Sequence, residues 1–299
     1  MICYRSKFIR TIERHLQRSL CKLQDWIDSN GFKFSQTKTV CVHFCRLRKP
    51  HPDPLLLLNG TPIPVVDQIK FLGLIFDKKL SFVPHLQFLR KKCMKALNLL
   101  RVVSHTRWGS DEQTLLHLYR SLIRSKLDYG AVIYGSARKS YLQILEPIQN
   151  QALRLCLGAF RTSPVTSLHV EANEMPLDLR RRKLASEYCL RVSSTVNNPA
   201  RSCIFSKQFT KIFDKHPNQI RPLSFRVSND LSHIGFRQKD ILLSSVPSVP
   251  PWLLSPPFVD FSLCEFSKLD TNADTFQSKF LEISEVCRTT ITFSQMDLE

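Results

Sequence analysis

Glycine is scarce in this sequence, with 8 in 299 residues, and neither GxGxxG nor GxxxxGK[ST] occurs. Without those turns there is no backbone cradle for nucleotide phosphates, which excludes the dinucleotide-binding and P-loop classes. The ten cysteines include no CxxC pair, which removes zinc ribbons and thioredoxin-type sites. Cys41, His43 and Cys45 alternate and would share one face of a strand. Two sulfurs and an imidazole can begin a metal site, but no fourth ligand stands near them in sequence. Reduced structural thiols are the reading adopted, and no metal ligand is assigned. No stretch approaches the ~20 apolar residues of a membrane helix. The N-terminus is basic but lacks the apolar core of a signal peptide. The expectation is an intracellular protein, nuclear or cytoplasmic, with no membrane partner.

Acidic residues are also thin over most of the chain. Residues 1–192 hold 32 lysines and arginines against 14 aspartates and glutamates, whereas residues 193–299 hold 11 of each. The whole net charge of +18 therefore lies in the first two-thirds. Such a field attracts polyanions, and phosphate backbones are the commonest.

What is present is a succession of elements. Ile9, Ile12, Leu16, Leu20, Leu23 and Ile27 form one apolar stripe of a helix over 9–30, stopped by Asn30-Gly31. Residues 39–46 alternate and predict a strand inside a sheet. Asn59-Gly60 between 55–58 and 63–66 signals a tight hairpin. Residues 69–76 read as an apolar strand interrupted by Gly73, where a ligand backbone could come close. From about 84 the period becomes helical: Leu86, Leu89, Cys93, Leu97, Leu100 and Val103 make a stripe, with Arg90, Lys91, Lys92 and Lys95 away from it. Ser110 and Gln113 fit a capping box for the next helix. Trp108 reads as a plug of the helical bundle. Pro147 starts a fresh helical segment that Gly158 stops, and a further helix spans about 178–193. Residues 193–271 are rich in proline and serine and read as a loose linker. Helical periodicity returns over 272–288, before a strand-like Thr-Ile-Thr-Phe.

The order of these elements is familiar once the residues are set out. A helix ending in Leu23-Gln24-Asp25-Trp26-Ile27-Asp28-Ser29-Asn30-Gly31 precedes Ser35-Gln36-Thr37-Lys38-Thr39. Then come Phe71-Leu72-Gly73-Leu74-Ile75-Phe76-Asp77, Leu118-Tyr119-Arg120-Ser121 and Leu127-Asp128-Tyr129-Gly130. From residue 1 to about 192 this succession resembles the reverse transcriptases (RNA-directed DNA polymerases) of jockey-like non-long-terminal-repeat retrotransposons. The resemblance implies an α+β fold in four parts: a palm-sheet remnant with a primer-grip hairpin at 1–83, a helical thumb at 84–192, a proline- and serine-rich linker at 193–271, and a short helix and strand-like end at 272–299 preceding the place of a missing ribonuclease H domain.

The resemblance also implies roles. The palm's Tyr-x-Asp-Asp turn, whose carboxylates hold catalytic Mg²⁺ in the intact enzymes, would lie just before the segment matching Ile2–Lys7. No Asp-Asp pair occurs in the sequence, so this chain alone is expected to be inactive and to carry no cofactor. Lys38 matches the lysine of the fourth palm motif, a weak candidate for protonating pyrophosphate. Phe71, Leu72, Gly73 and Leu74 match the primer-grip hairpin, an ordinary buried strand being the other reading. Arg90, Lys91, Lys92 and Lys95, extended by Arg101, Arg107, Arg154 and Arg161, are candidates for phosphate contact with a template-primer duplex. The expected role is the template-primer-holding part of a polymerase. A non-catalytic nucleic-acid-binding module or a non-functional pseudogene product are the alternatives.

Overall fold

A computed structural model describes residues 1–45, 51–105, 107–204, 210–215, 220–236, 240–243, 262–265 and 272–296. The chain divides into two compact units, Met1–Ser244 and Ser245–Glu299. The architecture is α+β, mostly helical with two small antiparallel hairpins.

Helix α1 (Ile9–Ser29) follows the apolar stripe, yet none of its residues is buried. Its Leu16 and Leu20 rest on a small cluster of Leu56, Leu58 and Ile63. Strands β1 (Leu57–Leu58) and β2 (Thr61–Pro62) form the hairpin that Asn59-Gly60 predicts, with φ of +50° and +74° at the two turn residues. Side chains of α1 complete its outer edge: Gln17 accepts the Leu57 N–H and donates to the Leu57 carbonyl, both at 2.9 Å. Such an edge would otherwise expose unpaired backbone groups.

The strand expected over 39–46 is reduced to a single bridge, Cys41 to Val65, within the described part of that segment. Cys41 N–H donates to Pro64 and Val66 N–H to Cys41, both at 2.9 Å. Alternation marks a face, but a strand also needs a neighbour of matching length.

The apolar stretch at 69–76 is two strands rather than one. Strands β3 (Gln68–Phe71) and β4 (Leu74–Asp77) pair antiparallel, and Gly73 is in the turn between them. Leu72 and Gly73 both take positive φ, +46° and +81°, as a two-residue hairpin demands. Leucine is not a turn residue by composition, so the turn is invisible to propensity.

Helix α2 (Val83–Val103) buries Leu86, Leu89, Cys93, Leu97 and Leu100, as the stripe predicts. The next helix, α3 (Glu112–Tyr119), is capped by Asp111, not by a Ser110–Gln113 box. The Asp111 carboxylate accepts from Thr114 N–H at 3.1 Å and its hydroxyl at 2.7 Å. The chain continues through a π-helical turn, Arg120–Arg124, into α4 (Ser125–Asp128). Helices α5 (Ala131–Tyr134), α6 (Lys139–Leu142), α7 (Glu146–Cys156) and α8 (Val165–Glu171) close the bundle. Its core includes Tyr119, Ile123, Leu127, Tyr134, Leu145 and Leu153, all nearly free of solvent. Leu74 and Phe82 belong to this core, so the second hairpin is anchored on the helices.

Helix α9 (Leu177–Ser194) leads into residues read from sequence as a loose linker. Within that stretch α10 (Arg201–Ile204), α11 (Thr210–Lys215) and α12 (Leu223–His233) are helical. Val227 and Leu231 of α12 pack with Ala185, Cys189 and Val192 of α9 in a second cluster. In the other unit, α13 (Ala273–Met296) continues through Thr290-Ile291-Thr292-Phe293, which the sequence suggests as strand-like.

Candidate nucleic-acid interface

The basic residues of the first unit sort into two sets. One set is consumed by the fold. Arg120 Nε donates to Glu174 Oε1 at 2.6 Å, and Arg124 Nη1 donates to the same carboxylate at 2.8 and 3.0 Å. Arg180 grips Asp128 through Nε and Nη2, the shortest contact being 2.8 Å. Arg182 pairs with Asp230, joining α9 to α12. Such pairs, partly shielded from water, position segments; their net contribution to stability is small beside the cost of breaking them.

The other set faces solvent. Helix α2 carries Arg90, Lys91, Lys92, Lys95 and Arg101 and no acidic residue. All five are exposed, as are Arg107 and Arg161. None of these seven takes part in an ion pair among the described residues. Uncompensated cations on a helix with no carboxylate of its own form an electrostatic surface for a polyanion. Arg154 does not join them. It is part-buried, and its guanidinium donates to the carbonyls of Asn150 and Ser163 at 3.5 and 3.3 Å, holding the turn after α7.

The hairpin tip contributes a different surface. Leu74 is turned into the helical core, whereas Phe71 and Leu72 are exposed at the tip. Tyr129, between α4 and α5, donates its hydroxyl to the Leu72 carbonyl at 2.6 Å and is itself 58% exposed. A Cβ on Gly73 would stand 3.1 Å from the Tyr129 ring, so the turn and the ring are in close contact. Phe71, Leu72 and Tyr129 are thus three exposed apolar or aromatic side chains at or beside the hairpin tip. Sequence reading missed Tyr129, for its tie to Leu72 spans 57 positions.

Other expectations change. Lys38 is exposed at the end of the 3-10 turn Gln36–Lys38. Trp108 is no plug: it is 63% exposed and stacks on His105, with ring centroids 5.2 Å apart. The described buried thiols are inert core groups, since burial raises Cys93 and Cys189 to about 11 and Cys156 to about 12.

Two-metal chemistry needs carboxylates converging on one point. Asp25, Asp28, Asp111 and Glu112 are all exposed. Among the described residues, the one group of three potential metal-binding side chains is His43, Cys45 and His51. Nitrogen and sulfur donors do not suit Mg²⁺, which takes oxygen, so this group does not fit that ion.

Comparison with known proteins gives a consistent set of relatives. The chain is 30% identical over 175 residues to a "Retrovirus-related Pol polyprotein from type-1 retrotransposable element R1" of Bradysia coprophila, covering 57% of this chain and 17% of that protein. It is 27% identical over 173 residues to a "Probable RNA-directed DNA polymerase from transposon BS" of Drosophila melanogaster, covering 58% and 19%. It is 26% identical over 201 residues to the "RNA-directed DNA polymerase from mobile element jockey" of the same fly, covering 66% and 21%. The chain therefore spans about a fifth of the length of these relatives. No family model and no solved structure matches. The resemblance to jockey-like reverse transcriptases stands on these relatives.

Proposed function

From its kinship with the RNA-directed DNA polymerases of non-long-terminal-repeat retrotransposons, we propose that this chain is the part of such an enzyme that holds the template-primer duplex, and that alone it transfers no nucleotide. The observation that carries this reading is α2, with five exposed cations, no acid and, among the described residues, no ion pair to quench them. Contacts from such a face reach phosphates and give affinity without reading bases. The exposed Phe71, Leu72 and Tyr129 at the hairpin tip add apolar contacts for sugar or base near the primer end. In this reading Lys38 is an exposed basic residue without a catalytic task.

Purified chain, incubated with a primed RNA template, nucleotides and Mg²⁺ or Mn²⁺, tests both halves. Duplex binding without primer extension is the expected result. Template-dependent synthesis overturns the claim of inactivity, and failure to bind the primed template overturns the claim of grip.

A further inference from the structure

Of the alternating Cys41, His43 and Cys45, the last two gain a further ligand in the fold, and Cys41 is not part of the group. His51 lies beside two of them, and ligand atoms of His43, Cys45 and His51 lie within 4.8 Å of one another. The His43 and His51 rings meet edge to face at 4.9 Å between centroids. Two donors on one tetrahedral zinc ion are about 3.3–3.8 Å apart, given bonds of about 2.0–2.3 Å, so small side-chain rotations would close the set. All three side chains are partly buried rather than splayed into solvent.

A second feature is built around the triad. His43 Nδ1 is hydrogen-bonded to Asp53 Oδ1 at 2.9 Å, which leaves Nε2 as the nitrogen open to a metal. A carboxylate behind a ligand imidazole fixes its tautomer and orientation and raises its basicity. Asp53 also lies 3.7 Å from Lys78 Nζ, and the Cys45 N–H donates to the Lys78 carbonyl at 3.0 Å. The triad is thereby tied to the end of β4.

The geometry points to a zinc site at His43, Cys45 and His51, with Asp53 orienting His43 and water in the fourth position. Two imidazoles and a thiolate suit Zn²⁺ and exclude hard, oxygen-seeking cations. Cys45 binds as thiolate and its proton passes to solvent. The ion staples residues 41–45 to the loop carrying His51 and Asp53. This site does not depend on what α2 binds.

The test uses the full chain, reduced and stripped of metal, titrated with Co²⁺ and then Zn²⁺. One equivalent of Co²⁺ is expected to give thiolate-to-metal absorption and the intense visible bands of a four-coordinate site, both abolished by Zn²⁺. Cys45→Ser should lose the thiolate absorption, and His51→Gln should weaken binding while keeping it. Asp53→Asn should weaken affinity by about 10–100-fold. Cys21→Ser, which removes an exposed thiol on α1, should change nothing. Zn²⁺ should raise the melting temperature of the parent chain and not that of Cys45→Ser, with apo spectra matching in the far ultraviolet. Absence of a stoichiometric complex, or an equally strong thiolate signal in Cys45→Ser, overturns the proposal.

Discussion

Tyr129 donates its hydroxyl to the main-chain carbonyl of Leu72 at 2.6 Å, so a residue between two bundle helices closes the tip of the β3–β4 hairpin. The contact ties the hairpin to the bundle, as does Leu74 in the helical core.

Gly73 is where that contact is least tolerant. Its φ is +81°, and an added Cβ would press on the Tyr129 ring at 3.1 Å. Gly73→Ala is expected to cost about 1–2 kcal/mol, the penalty of a left-handed backbone with a side chain. Tyr129→Phe removes a half-exposed hydrogen bond and should cost about 0.5–1 kcal/mol. Urea denaturation of the full chain measures both, and a Gly73→Ala variant as stable as the parent would contradict the described tip.

Asp77 governs the turn from β4 into α2, where Leu80 and Phe82 both have positive φ. Burial would raise its carboxyl, but the N–H groups of Ser81 and Phe82, at 3.0 and 2.7 Å, and the Ser81 hydroxyl, at 2.9 Å, hold it below the usual carboxylate range. A depressed folded pKa means stability that is present above the unfolded value of 3.8 and lost as the pH falls through the folded value. Asp77→Asn should therefore be less stable than the parent at neutral pH, with the gap narrowing below pH 3.8. A gap that stays constant down to about pH 2 would show that ionised Asp77 does not hold the turn.

Glu174 is nearly buried, and it receives two arginines from the π-helical turn and its entrance. Glu174→Gln leaves both partly shielded cations without a counter-charge. The expected loss is about 2–3 kcal/mol, below the range for fully buried pairs because the arginines keep some solvent. Denaturation midpoints read it, while the affinity of the folded variant for duplex should be unchanged.

Local signals were legible in the sequence and distant pairings were not. The α2 stripe and the Asn59-Gly60 turn follow from neighbours a few residues apart, and the fold reproduces them. The Leu72-Gly73 turn was hidden from residue propensity, since leucine occupies a left-handed position, and only the family resemblance marked a hairpin there. Asp111 displaced Ser110 as cap because only its carboxylate meets both Thr114 groups. Of the candidate phosphate contacts, seven lie on the surface, while Arg154 turned inward to carbonyls that no spacing rule could place. His51 lies against His43 and Cys45, a proximity that sequence spacing alone does not reveal.

The electrostatic grip proposed for α2 is read by the salt dependence of duplex affinity. Fluorescence anisotropy with a labelled RNA–DNA hybrid and a DNA duplex, from low to moderate salt, should give a linear fall of log affinity with log salt. The slope for duplex DNA should be about 0.9 per phosphate neutralised. Replacing Arg90, Lys91, Lys92 and Lys95 together by alanine should weaken binding and flatten that slope. An affinity indifferent to salt, or a quadruple variant with the parent's affinity and slope, would rule out α2 as that grip.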